Sequence, residues 1–370
     1  MRNKELDALR GLAAISVLLY HVLALNWPPL QNGVYLQPAD KIIHNILIFT
    51  PVHVIWLGME AVWFFFVLSG FVLTKAATRP GFSWQAYFPS RIVRIYGPVL
   101  CAIVFAWLTY RLIPHVVEPG DNPAIGMLPT AYPFTDVLRD ATLLGGTSTS
   151  IGVLWSLQWE IVFSLALPIY IFLVQRFPRT AAIIAAAACM IGWVVNDQVT
   201  MYMPMFFFGA LLAQYWAQVC NTFRFLRSGG WFAHVSGSLL VLAGITGMTS
   251  FFLLGRQLGA IGVPARAATL PLVLGGIVLL TITSVNWPPL SRVLTTRFMV
   301  FLGTISFSLY LVHRPIMIAF GFIMGLGMLP ALIVIALSIA VAVGFYYAFE
   351  RPLHRLAQRL NRSLQEKVPA

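Results

Sequence analysis

Charged residues are scarce in this sequence. Only 12 of its 370 residues are acidic, and Asp, Glu, Lys and Arg together make up 10%, against about 25% in soluble domains. A water-soluble fold of this length needs far more ionic surface, so that class is excluded. Cysteine is nearly absent too. Cys101, Cys189 and Cys220 show no Cys-x-x-Cys spacing, which excludes a disulfide framework and leaves no metal site to expect. No Gly-x-Ser-x-Gly elbow surrounds Ser69, so a hydrolase-type serine nucleophile is not expected. Internal repeats are missing, and the formal charge of +12 gathers in no segment large enough to fold in water. Nucleic acid is therefore not an expected partner.

What the chain has instead is apolar length: 59% of residues are hydrophobic. Runs near the ~20 residues needed to cross a bilayer fall at about 8–26, 55–75, 93–112, 154–175, 180–196, 201–217, 232–250, 268–285, 299–321 and 329–349. The expected class is an all-α integral membrane protein with about ten transmembrane helices and both termini cytoplasmic. The basic residues agree. Of the 24 Lys and Arg, five (Lys41, Arg111, Arg139, Arg256 and Arg266) fall on outer segments, Arg314 falls within a span, and the rest lie on inner ones. That is the positive-inside bias. Residues 1–25 begin like a secretion signal, but Arg10 and His21 interrupt them and no small-x-small cleavage site follows. Two domains are expected: a transmembrane unit, 1–350, and a basic cytoplasmic tail, 351–370, lying as an interfacial helix.

Ionisable groups at membrane depth are costly, so each is a functional candidate. Arg10 and His21, eleven positions apart in one helix, fall about 20° apart in azimuth and roughly 16 Å apart along the axis. Sorting the others by depth from the ends of their spans gives two groups. Arg10, Arg91 and Arg94 gather at the inner face. His21, Glu60, Glu160, His313 and Arg314 share the outer half. Arg91 and Arg94, three apart, present paired guanidinium forks suited to phosphate, although they also serve as ordinary topology anchors. His21 has the side chain best suited to take a proton from a hydroxyl near neutral pH. Glu160 either orients His21, contacts the acceptor, or pairs structurally with Arg314 or His313. Glu60 either joins this outer group or merely marks the interface.

The motifs carrying these residues resemble acyltransferase family 3, the integral-membrane O-acyltransferases of bacterial surface glycans and antibiotics. A basic residue, ten more, then His is met by Arg10 and His21. Aromatics leading into Ser-Gly-Phe are met by Phe64 to Phe71, and Arg-x-x-Arg by Arg91 and Arg94. Trp-Ser-Leu-x-x-Glu is met by Trp155 to Glu160, Ser-Leu-Tyr-Leu-x-His-x-Pro by Ser308 to Pro315, and Glu-Arg-Pro by Glu350 to Pro352. The resemblance implies transfer of an acyl group, usually acetyl, from cytoplasmic acyl-CoA to a hydroxyl of a carbohydrate or glycolipid outside a bacterial inner membrane. It implies Arg10, Arg91 and Arg94 on the coenzyme, His21 and Glu160 as catalytic groups, and Glu60, His313 and Arg314 on the acceptor side. Two rival classes stay open on the sequence. A secondary transporter also carries midplane charges, and a non-catalytic membrane scaffold gives no reason for the shared depth.

Overall fold

The computed structural model describes residues 3–365. Among them there is no strand. Ten long helices carry the chain: α1 (Lys4–Asn26), α2 (Met59–Ala77), α3 (Trp84–Leu112), α4 (Leu154–Arg176), α5 (Pro178–Val195), α6 (Gln198–Gln214), α7 (Trp231–Met248), α8 (Ala265–Asn286), α9 (Arg297–Met324) and α10 (Met328–Phe345). α10 continues through a π turn, Tyr346–Glu350, into α11 (Arg351–Gln365). Among the described residues nine helices are long and apolar enough to cross a bilayer, α10 and α11 counting as one of 38 residues. α6, with 17 residues, sits at the lower limit for a crossing. Connectivity favours counting it. Glu60 in the first turn of α2 is ion-paired with Arg266 in the first turn of α8, so both helices start on one side. Six crossings, α2 to α7, return the chain to that side; five do not.

The described chain forms two compact units. The first takes residues up to 17, 28–78 and 166–304; the second takes 18–27, 79–165 and 305 onward. In the first, glycine lets backbones touch. α2 and α6 run parallel, and a Cβ at Gly70 or Gly209 would strike the carbonyl oxygens of Phe206 or Val67. α7 and α8 run antiparallel over Gly244, Gly247 and Gly276. The first turns of α1 meet those of α9 at Gly11 and Gly303, where a Cβ on Gly303 would hit the Asp7 carbonyl. Where lipid is as apolar as leucine, such close van der Waals contact is a main source of helix association.

In the second unit α11 packs antiparallel on the first half of α3. Leu353 covers Gly97, and the Asn361 amide donates to the Ala86 carbonyl (3.4 Å) and to Ser90 Oγ (3.2 Å). Over 351–365 the expected basic tail is a helix continuous with α10 and held against α3. Its Arg351, Arg355, Arg359 and Arg362 are exposed on the face opposite that contact.

The feature that positions the site is the segment before α4. The buried Asp140 carboxylate accepts from Tyr132 OH (2.7 Å), Ser148 N (2.6 Å) and Ser148 Oγ (2.7 Å), tying the segment into a compact fold. Tyr96 OH donates to the Thr142 carbonyl (2.6 Å) and Tyr110 OH to that of Ser150 (3.0 Å). Tyr310, at the midpoint of α9, donates to the Val153 carbonyl (3.1 Å). α4 therefore starts level with the middle of α9 rather than at its end. Irregular backbone at this depth is tolerated only when protein satisfies it, and Leu143, Ser148, Ser150, Ile151 and Val153 are all buried.

Candidate active site

The site is assembled on α9, the end of α1 and the start of α4. His313 is fully buried on α9. Its Nδ1 lies 2.9 Å from the Leu309 carbonyl one turn earlier, and its Nε2 lies 3.1 Å from His21 Nδ1. These partners assign the protons. A carbonyl only accepts, so His313 Nδ1 carries hydrogen. The neutral ring then has a lone pair on Nε2, which accepts from His21 Nδ1–H. His21 is thereby fixed in the tautomer whose Nε2 bears the lone pair. His21 is only half-buried and packs edge-on against Tyr20, with ring centroids 5.2 Å apart. His313 is thus held through both ring nitrogens, and His21 through Nδ1.

Tyr310, one turn before His313, pairs its hydroxyl with Ser156 Oγ at 2.7 Å. On α4, residues 156, 160 and 164 share a face at intervals of four. Glu160 and Ser164 continue that stripe onto α3. Arg91 Nη2 donates to Glu160 Oε1 (2.5 Å) and Arg91 Nε to Ser164 Oγ (3.0 Å), with both side chains of the ion pair largely buried. Tyr87 OH donates to the Ser164 carbonyl (3.3 Å).

This revises the two-group arrangement expected from the sequence. Arg91 and Glu160 were assigned to opposite ends and are ion-paired. The cause is the low start of α4: Glu160, six residues on and about 9 Å further along the helix, descends to the first third of α3. His21 is hydrogen-bonded to His313, and the Glu160 carboxylate to Arg91. Arg94, one turn on from Arg91, is exposed. Arg10 lies half-buried on the first half of α1. α1 is unbroken, so Arg10 and His21 do belong to one helix.

Glu60 belongs to the first unit. It is 1% exposed and its carboxylate is taken by Arg266. The guanidinium lies over the Phe251 ring, 3.5 Å from its centroid, with Trp63 and Trp193 about 6 Å away. Nearby His53 stacks on Phe252 at 3.6 Å and is fully buried. Burial pushes its imidazole down to about 3, with the field of Arg266 adding to the effect. These contacts read as packing of an ion pair in an aromatic box.

Sequence reasoning passed over Ser164 and Asp140, and quoted Ser156 and Ser308 within motifs without giving them a role. The four-residue polar stripe on α4 was a usable signal for Ser156 and Ser164. Ser308 donates its N–H and hydroxyl to the Glu350 carboxylate (3.1 and 2.5 Å), a contact made across 42 residues and set by the π turn. Among the described residues no group of three or more His, Cys, Asp or Glu stands close enough to hold a metal ion.

The site thus joins a buried imidazole on α9 to a half-buried one at the end of α1. The chain belongs to the family described as acyltransferase domain, whose pattern spans residues 3–349. It is 27% identical over 335 residues to acyltransferase MdmB of Streptomyces mycarofaciens, covering 85% of this chain and 78% of that protein. It is 27% identical over 254 residues to nodulation protein 10 of Rhizobium leguminosarum bv. viciae, covering 60% of this chain and 62% of that protein. No solved structure matches it. The protein is a multi-pass membrane acyltransferase acting on groups other than aminoacyl groups, and the transporter and scaffold readings fall away.

Proposed function

We propose that this enzyme moves an acyl group, acetyl in the simplest case, from acyl-CoA on the cytoplasmic side to a hydroxyl of a glycan or glycolipid on the other side of a bacterial inner membrane. The observation that carries the reading is the hydrogen-bonded chain from the Leu309 carbonyl through His313 to His21. It leaves His21 Nε2 as the general base. The acceptor O–H gives its proton to Nε2 while its oxygen attacks the thioester carbonyl. The tetrahedral intermediate collapses with cleavage of the C–S bond, and the proton on Nε2 passes to the departing thiolate. As His21 becomes an imidazolium, its Nδ1–H bond to His313 becomes charge-assisted and strengthens, which favours the transition state over the ground state.

Arg10 and Arg94, with Arg91 held in place by Glu160 and Ser164, are proposed to take the coenzyme's phosphates. The roughly 16 Å of helix between Arg10 and His21 matches the reach of an extended pantetheine arm. Both termini are then cytoplasmic. Transient acylation of His21 Nε2 is a second route open to the same lone pair; acid quenching during turnover would trap the acyl-imidazole.

The test is mass spectrometry of envelope glycans from a strain lacking the gene, complemented with wild-type protein or with His21→Ala. O-acylation should return only with the wild type, at equal membrane levels of the two proteins. Acylation restored by His21→Ala would remove the base.

A further inference from the structure

Arg314 follows His313 on α9 and is handled unlike the other buried cations. Arg91 has Glu160 and Arg266 has Glu60. Among the described residues Arg314 has neither an ion pair nor a hydrogen bond, and its Nε is enclosed without a partner. The ionisable groups that bear on it are the phenols of Tyr110 and Tyr20, neutral at ordinary pH, with no carboxylate among them. Its place is nonetheless built. Gly152, at φ +72°, lies against the guanidinium, and a Cβ there would stand 2.9 Å from Arg314 Nε. The side chain missing at 152 is the room the guanidinium occupies. On one flank Tyr110 is fixed by its bond to Ser150 and by stacking on His115 at 4.3 Å.

A guanidinium that is partly buried, with its Nε enclosed and no counter-charge, is costly to a folded protein, and a planar fork of donors matches a carboxylate or phosphate. We infer that Arg314 binds an anionic group carried by the acceptor sugar and thereby selects acidic glycans, such as uronic acids or sugar phosphates, over neutral ones. The cation follows His313 in α9 and lies against Gly152 of the segment before α4, so the acceptor's charged group would be held on the helix that carries His313. The inference rests on the reading of His21 as the base but is measured without turnover.

Two measurements test it on full-length protein in lipid nanodiscs. In the first, ligand-free Arg314→Met should melt at a higher temperature than wild type, because an unpaired charge has been removed; a lower one makes Arg314 a structural residue and overturns the proposal. In the second, binding of D-glucuronate, D-glucose 1-phosphate, D-glucose and coenzyme A is compared at matched ionic strength. One or both anionic sugars should bind wild type and lose about tenfold or more in Arg314→Met, glucuronate marking carboxylate recognition and glucose 1-phosphate marking phosphate recognition. Equal binding of glucose and both anions, no binding of either anion, or loss confined to coenzyme A overturns it. His21→Ala should keep the anion response. Should that variant transfer acyl groups while the response still depends on Arg314, the base assignment fails and the anion site stands.

Discussion

Removing His313 should cost the enzyme its base rather than its donor. In the resting state the 3.1 Å contact to His21 is a neutral hydrogen bond, worth about 0.5–1.5 kcal/mol net. In the transition state His21 carries a proton on each nitrogen, and a bond from a charged donor is worth roughly 1.5–3 kcal/mol. The difference, about 1–1.5 kcal/mol, is what kcat reads, so at about 1.4 kcal/mol per factor of ten His313→Ala should lower kcat by roughly 5–12-fold with little change in KM for acetyl-CoA. His313→Gln offers a carbonyl oxygen near the place of Nε2 and should recover most of that loss. The assay is coenzyme A release from acetyl-CoA by nanodisc protein, with glycan from the deletion strain as acceptor. His313→Ala within about threefold of wild type, or His313→Gln no better than Ala in a protein of unchanged melting temperature, would refute the relay.

The remaining predictions concern the first unit. Glu60→Gln or Arg266→Met alone should destabilise by about 3–5 kcal/mol, since each leaves a buried charge unpaired, whereas the double variant Glu60→Leu with Arg266→Met should recover most of the loss. Transfer per folded molecule should hold throughout, checked by pairing melting curves with kcat; a lost kcat at full stability would return Glu60 to the acceptor side. His53, held near 3 in the folded protein against an ordinary 6.5, binds its proton more readily when unfolded. Stability should then be complete above pH 6.5 and fall as pH drops toward 3, by about 2 kcal/mol at pH 5. Melting temperatures at pH 7.5 and 5 should separate more for wild type than for His53→Gln; equal separations would count against it.

Much of the fold was legible because the bilayer imposes a length on apolar runs: the ten long helices coincide with the ten runs to within about four residues at each end, except that α3 starts nine residues earlier than its run. Arg10 and His21 were legible for the same reason: both interrupt one run at a spacing that a single helix converts into one face. The partners were not. Glu60 and Arg266 are 206 residues apart, and nothing local announces their meeting. Glu160 went astray because depth was counted from the end of its span, as if the helix began at the membrane surface. The segment over 143–153 reads as any Gly, Ser and Thr loop, and it takes the bonds of Ser148 to Asp140, Tyr110 to Ser150 and Tyr310 to Val153 to show that it is folded inward. The pairing of His21 with His313 lay between these cases: the shared depth was visible, but the direction of the hydrogen bond depends on the Leu309 carbonyl, which no side-chain pattern records.

The most direct measurement is the protonation state of the two rings in the resting enzyme. Nitrogen-15 NMR of histidine-labelled protein in bilayers at pH 7.5, assigned with His21→Ala and His313→Gln, reads it nitrogen by nitrogen. Hydrogen on Nδ1 of both rings, with a lone pair on His21 Nε2, is the expected result. Hydrogen on His21 Nε2 would contradict the base assignment, because the nitrogen meant to accept the hydroxyl proton would already be occupied.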